Sequence, residues 1–297
     1  MADWRWVVNE TATESITTEV SEPAEKKRGL KKTTLVERGP ELALGIADPS
    51  GKLHRNIELR RWNLKKEKEL GELRKEEPDV SLGEYVSMVL AEMCTWLGPH
   101  DFDKKSMNQA EKRLVLSQMW MGDVLHAYCW RRLKAMGHEL KTRLECPFHE
   151  YKFPWTGDLR TLEVNVAESL EDAMWEFVLS DPFEIREQTV EKFKLGPVRW
   201  HAIEKAELGR RVNPGKVKAV MIHASIHEIG GAEVALGEHE LDEMSKLDLE
   251  THIAEIDRHA IGPDMRIEPR CDHKRCERSF ETSIDWSYDN FFSVSSR

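Results

Sequence analysis

The sequence predicts an α+β protein built from two helical half-units related by a divergent internal duplication, each ending in a β-knuckle, with the knuckles joined at a shared ligand site. Three observations predict it. Cysteine and histidine occur in two close pairs far apart in the chain, Cys146-Pro-Phe-His149 and Cys271-Asp-His-Lys-Arg-Cys276. Residues around both pairs alternate in the manner of strands, with aromatics on the return. The order of signals before the first pair is replayed before the second.

Composition bounds the reading. At 297 residues the chain suits one large or two small domains, and either can bury a core. Its 54 acidic and 44 basic residues leave a net charge of −10, which argues against nucleic acid as a partner. No apolar run approaches the roughly 18 residues of a membrane span, and no signal-peptide core follows Met1, so no membrane partner is expected. Five cysteines without a secretory signal read as reduced thiols and metal ligands, not as a disulfide framework.

Residues 1–32 are poor in core formers and end in the basic run Lys26 to Lys32, which predicts a flexible N-terminal arm carrying Trp4 and Trp6. The first helical unit is expected over 33–166. Strand and turn signals run from Thr33 to Arg61, with a reversal at Asp48-Pro-Ser-Gly51. A short helix follows Arg61-Trp62 and closes near Gly71. Ser81-Leu-Gly-Glu84 is a capping box, because the serine oxygen accepts from an orphan amide while the glutamate reaches back. The helix it opens carries Val86, Val89, Leu90, Met93 and Leu97 on one face and stops at Gly98-Pro99. Asn108-Gln-Ala-Glu111 caps a third helix, whose stripe runs Leu114, Met121, Leu125, Cys129, Leu133 and Met136 to Gly137. Cys94 and Cys129 fall on apolar faces and read as buried hydrophobes. The first knuckle, 140–153, comes next.

The second unit is expected over 167–297. Arg199-Trp200 precedes Glu207-Leu-Gly209 at the separation by which Arg61-Trp62 precedes Glu69-Leu-Gly71. A helix bearing Val217, Val220, Met221, Ala224 and Ile229 ends at Gly230-Gly231, as its counterpart ends at Gly98. Another, bearing Leu249, Ile253, Ile256 and Ala260, stops at Gly262-Pro263. The second knuckle, 265–286, leads into an aromatic tail. The segment from Val164 to Val198 connects the halves, with a strand at Asp181–Arg186.

Three thiolates and one imidazole suit structural zinc, which takes four ligands in a tetrahedron. Cys146, His149, Cys271 and Cys276 are the expected ligands, and His273 inside the second turn is an alternative fourth. One ion shared by two half-sites makes the pair zinc-ribbon-like. All four coordination positions are then filled, and neither a Gly-rich phosphate loop nor a G-x-S-x-G elbow is present, so no enzyme, catalytic residue or small-molecule substrate is expected. His223 and His227, four apart, fit one helical face but lack the H-E-x-x-H order. His252 and His259 look solvated. Trp286, Tyr288, Phe291 and Phe292 near the chain end are candidates for partner binding, since exposed aromatics are costly unless covered.

Cys146-Pro-Phe-His149 with Asp158-Leu-Arg-Thr-Leu-Glu-Val164, and Cys271 through the Phe-Phe-Ser ending at Ser293, resemble the baseplate hub and hub-assembly proteins of contractile-tailed bacteriophages. The resemblance spans residues from about 57 onward; His149 stands where that family has a cysteine, and the second pair is spaced more widely than its usual C-x2-C. It implies a non-enzymatic structural or assembly protein, a hub subunit or tail assembly chaperone, with phage tail and baseplate proteins as partners. Such a protein is made in the host cytoplasm and either stays in the virion tail baseplate or leaves after assembly. The competing reading is a zinc-ribbon adaptor or regulator that binds nucleic acid through Lys26–Lys32 and Lys274-Arg275.

Overall fold

A computed structural model describes residues 30–76, 80–212, 216–233, 236–237 and 239–284. The arm expected at 1–32 lies outside them except for its last three residues, and Lys31 and Lys32 belong to a strand. The chain opens with β1 (Lys31–Thr34), the single-turn α1 (Leu35–Arg38) and the hairpin β2 (Glu41–Ala47) and β3 (Leu53–Leu59). Helices α2 (Leu64–Glu76) and α3 (Leu82–Met93) follow, then β4 (Cys94–Leu97) and β5 (His100–Asp101). Helices α4 (Gln109–Ser117) and α5 (Met121–Met136) lead into the ribbon β6 (Glu139–Glu145) and β7 (Lys152–Asp158). Next come β8 (Glu163–Val166) and the hairpin β9 (Trp175–Ile185) and β10 (Gln188–Leu195). Helices α6 (Trp200–Val212) and α7 (Lys216–Ser225) precede β11 (Ile226–Ile229) and β12 (Ala232–Glu233). The last elements are α8 (Lys246–His259), β13 (Gly262–Pro263), β14 (Arg266–Ile267) and β15 (Thr282–Ser283). The protein is mixed α+β, as expected.

The described residues gather into two compact units, which cut across the halves expected at 33–166 and 167–297. The smaller holds 141–157 and 265–284; the larger holds 30–140 and 158–264.

The larger unit contains two four-stranded antiparallel sheets, ordered β2-β3-β4-β5 and β9-β10-β11-β12. In both, a hairpin is followed by two helices and then by two short strands. A third sheet sets β8 between β1 and β13. The long hairpin buries one face by alternation that lapses only at Asp181: Phe177, Leu179, Phe183 and Ile185 of β9 meet Ile222 and Ile226 in one core. The segment taken as a connector is therefore half of a sheet.

Local signals place most helix starts. Ser81 and Asn108 form the expected capping boxes, with Glu84 and Glu111 reaching back to their cap amides at 2.8 and 2.7 Å. Helix ends depart further from expectation. Helix α2 runs through Gly71 to Glu76, its first turn stabilised by Asn63 capping Lys66 and by the Lys66–Glu69 ion pair. The α3 helix stops at Met93, because Cys94 turns extended (φ −79°, ψ 139°) and pairs with Leu59. The helix expected from Asn108 to Gly137 is two helices. Met121 N–H donates to Val198 O and Trp200 N–H to Met119 O, and these bonds draw the chain out of helical form near Trp120. Leu114, taken as the start of an apolar stripe, is 61% exposed as a result. Cys94 and Cys129 are buried, as expected, and burial pushes both thiols up to about 12.

Two buried carboxylates stand in the first turns of helices in the larger unit. Asp123 of α5 accepts from Leu44 and Gly45 N–H at 2.9 and 2.8 Å, where the β2–β3 register shifts. Asp248 of α8 accepts from Ser180 and Asp181 N–H at 2.8 and 3.2 Å, in the middle of β9. Next to Asp123, Gly122 lies against Gly262: a Cβ on Gly122 would stand 2.0 Å from Ile261 O, so only glycine permits this approach of α5 to β13.

Two histidines are wholly buried. His126 Nε2 meets Gly39 O at 2.9 Å, and His252 Nε2 meets the Ser225 hydroxyl at 2.8 Å. His252 is thus not solvated, because it faces Phe177 and Phe193 in the sheet core. Burial lowers both imidazoles to about 4 and raises Asp123 to about 6. A depressed histidine contributes stability that is present above its unfolded value of 6.5 and is lost as pH falls toward 4. The raised Asp123 acts oppositely, its contribution being present below 3.8 and lost as pH rises through 6. Two histidines outweigh one aspartate, so unfolding free energy should fall on acidification from pH 6.5 to 4. His126→Gln, which can still donate to Gly39 O, should flatten that slope by close to one proton in denaturant titrations at stepped pH. An unchanged slope would remove His126 from the account.

Candidate metal centre

The smaller unit consists of two strand ribbons, β6 with β7 and β14 with β15. Each carries a ligand turn, and the turns are built alike. In the first, Cys146 N–H donates to Tyr151 O, and Glu150 N–H returns to Cys146 O, both at 2.9 Å. In the second, Cys271 N–H donates to Arg278 O at 3.0 Å and Cys276 N–H to His273 O at 2.9 Å. The residue after each second ligand takes the left-handed conformation, Glu150 at φ 56° and Glu277 at φ 49°. Three residues further on, Phe153 and Phe280 turn inward and meet edge to face, centroids 6.1 Å apart. With Leu144 they make the unit's small buried core, in which Cys146 and Cys271 are embedded.

The four expected ligands converge. Donor atoms of Cys146, His149, Cys271 and Cys276 all lie within 4.8 Å of one another. Cys146 Sγ is 3.8 Å from Cys276 Sγ, and Cys271 Sγ is 3.8 Å from His149 Nε2. Those separations are too long for a disulfide and match the edges of a tetrahedron around an ion with ~2.3 Å bonds to sulfur, whose S···S edge is ~3.8 Å. The donor set therefore fits a metal ion. Burial pushes the Cys146 thiol up to about 11, while the Arg278 N–H lowers that of Cys276. Metal uptake here must release protons.

His273 stands outside the four. Its ring lies against His149 and Tyr151, centroids 4.9 Å from each, and its Nδ1 accepts from Arg275 N–H. It forms a wall beside the ligand His149. Trp286, Tyr288, Phe291 and Phe292 lie outside the described residues.

The remaining histidine candidates do not form a site. His223 is in α7 but His227 is in β11, where its Nε2 meets Pro197 O at 3.1 Å, so the two do not share a helical face. The reason is β11 pairing with β10, which ends the helix at Ser225. His259 stacks on Trp175 and reaches Glu255 at 3.2 Å. Among the described residues no helix is long and apolar enough to cross a membrane. Comparison with family models, with curated proteins and with solved structures finds no match to this chain.

Proposed function

We propose that Cys146, His149, Cys271 and Cys276 hold one structural zinc ion in a zinc-ribbon-like unit, and that the protein is a non-enzymatic structural or assembly component of a contractile phage tail baseplate. The observation that carries the metal reading is the approach of four donors, from two turns of one design, to within 4.8 Å of one another, with two of the pairs at 3.8 Å. Four protein donors of thiolate and imidazole type are a set that suits tetrahedral zinc. Four protein ligands leave a tetrahedral ion no open position, which supports a structural role over a catalytic one.

An internal duplication accounts for the paired features. Asp123, Gly137 and Cys146 recur at one constant separation as Asp248, Gly262 and Cys271. Gly137 and Gly262 share a positive φ, 84° and 90°. His149, Glu150 and Phe153 recur as Cys276, Glu277 and Phe280, displaced by the two extra residues in the second turn. The matching orders of the two four-stranded sheets support the same origin.

The baseplate reading rests on the resemblance carried by Cys146–Val164 and Cys271–Ser293. Its test is association: the tagged protein, expressed during infection, should co-purify with tail baseplate proteins. Removing residues 288–297 should leave the metal in place and weaken that association. A deletion that loses the metal would assign the tail to the fold instead. Retention on DNA with a steep loss in rising salt, and no tail proteins, would favour the nucleic-acid adaptor.

A further inference from the structure

The larger unit contains a cleft of about 850 Å³ between the end of β3 and the C-terminal half of α5. Its charged lining is entirely cationic, Arg60, Arg61, Arg131 and Lys134, with Trp62 and Trp130 as aromatic walls. That is a local reversal of sign in a chain of net charge −10. Arg60 is neutralised, since its Nη2 pairs with the Asp103 carboxylate and its Nη1 donates to Glu92 and Cys94 carbonyls. Arg131 is not. It is 2% exposed, and its Nη1 donates to Arg60 O at 2.7 Å, which anchors one end of the guanidinium. The other edge, Nε with Nη2, has no hydrogen-bond partner among the described residues. Its face lies 4.7 Å from the centre of the Trp62 ring, so the plane is held. Burial lowers Arg131 to about 10, which leaves it a cation at neutral pH.

A buried donor edge without an acceptor is costly, and native proteins rarely keep one. The Nε/Nη2 edge is the fork that matches two oxygens of a carboxylate or phosphate in parallel hydrogen bonds. We propose that this cleft is an oxyanion-binding site, in which Arg131 takes a carboxylate or phosphate group of a ligand bidentately while Arg61 and Lys134 at the rim attract its charge. Lys134 lies over the Trp130 ring at 4.6 Å, and Arg61 is exposed, so both can adjust to ligands of different length. The site draws on the larger unit alone and does not depend on the metal or on the baseplate reading. In the sequence its signal is the mirrored pair Arg60-Arg61-Trp62 and Trp130-Arg131-Arg132.

The test uses the full chain labelled with ¹⁵N-arginine, titrated at constant ionic strength with inorganic phosphate and, separately, with glutarate. One Nε–H resonance, missing in Arg131→Met, should shift and saturate. Saturation by phosphate alone or by glutarate alone supports the site and identifies its ligand class. The double variant Arg61→Gln with Lys134→Gln changes only rim residues and should weaken binding roughly fivefold. That variant decides the matter even if Arg131→Met fails to fold. No saturable shift up to roughly 100 mM of either anion, an equal shift with chloride, or unchanged affinity in the double variant would overturn the proposal.

Discussion

Cys271→Ser is expected to strip the metal from the protein and to unfold the ribbon unit while the larger unit stays folded. Cys271 is buried in a small core with Leu144, Cys146, Phe153 and Phe280, against which Trp155, Ile267 and Cys276 pack. Strands of two residues, such as β14 and β15, supply few hydrogen bonds of their own. So small a unit cannot offset its chain entropy by apolar burial alone. A four-ligand ion contributes on the order of 10 kcal/mol, and removing one thiolate forfeits most of it. Limited proteolysis should then cut within 141–157 and 265–284 and spare the larger unit. Cys94→Ser is the control, since Cys94 is buried in the larger unit and is not one of the four donors; it should keep the metal and lose about 1–3 kcal/mol for an unpaired hydroxyl. A Cys271→Ser protein as protease-resistant as the parent would mean that the ribbons fold without the ion.

Asp123→Ala should destabilise the larger unit by about 3–5 kcal/mol, because it orphans two buried backbone donors at once. Leu44 and Gly45 N–H have Asp123 as their acceptor where the β2–β3 pairing is interrupted, and the carboxylate ties helix α5 to that interruption. Asp248→Ala should be similarly costly, since Ser180 and Asp181 N–H depend on it in the same way, although the Ser245 hydroxyl also contacts this carboxylate. Asp123→Asn keeps one acceptor oxygen and should lie between alanine and the parent. Urea titrations near neutral pH give the comparison. A loss below about 1 kcal/mol for Asp123→Ala would show that water or a shifted strand replaces the carboxylate.

What the sequence discloses here is what depends on neighbours in the chain. That Cys146, His149, Cys271 and Cys276 come together is legible because each pair sits within one turn, and the flanking alternation marks that turn as a strand reversal. The caps at Ser81 and Asn108 are legible for the same reason, as donor and acceptor lie three residues apart. Features that depend on distant partners are not. Nothing local announces that Met121 and Trp200 exchange backbone bonds with Val198 and Met119, so the break at Trp120 escapes a periodicity argument and Leu114 is misread as core. His252 sits on a polar-looking face of α8, and only the sheet formed by β9 and β10 makes that face interior. Strands β4 and β11 continue an apolar helical pattern without a breaker, and pairing to β3 and β10 decides their form.

Metal content with thiol accessibility, measured on one purified sample, tests the central claim most directly. One equivalent of zinc per chain is expected. Three thiols, Cys146, Cys271 and Cys276, should be shielded until a chelator is added and then react, while Cys94 and Cys129 stay buried until the larger unit unfolds. A metal-free protein with an intact ribbon unit, in which those three thiols react at once and take up no zinc when it is supplied, would contradict it.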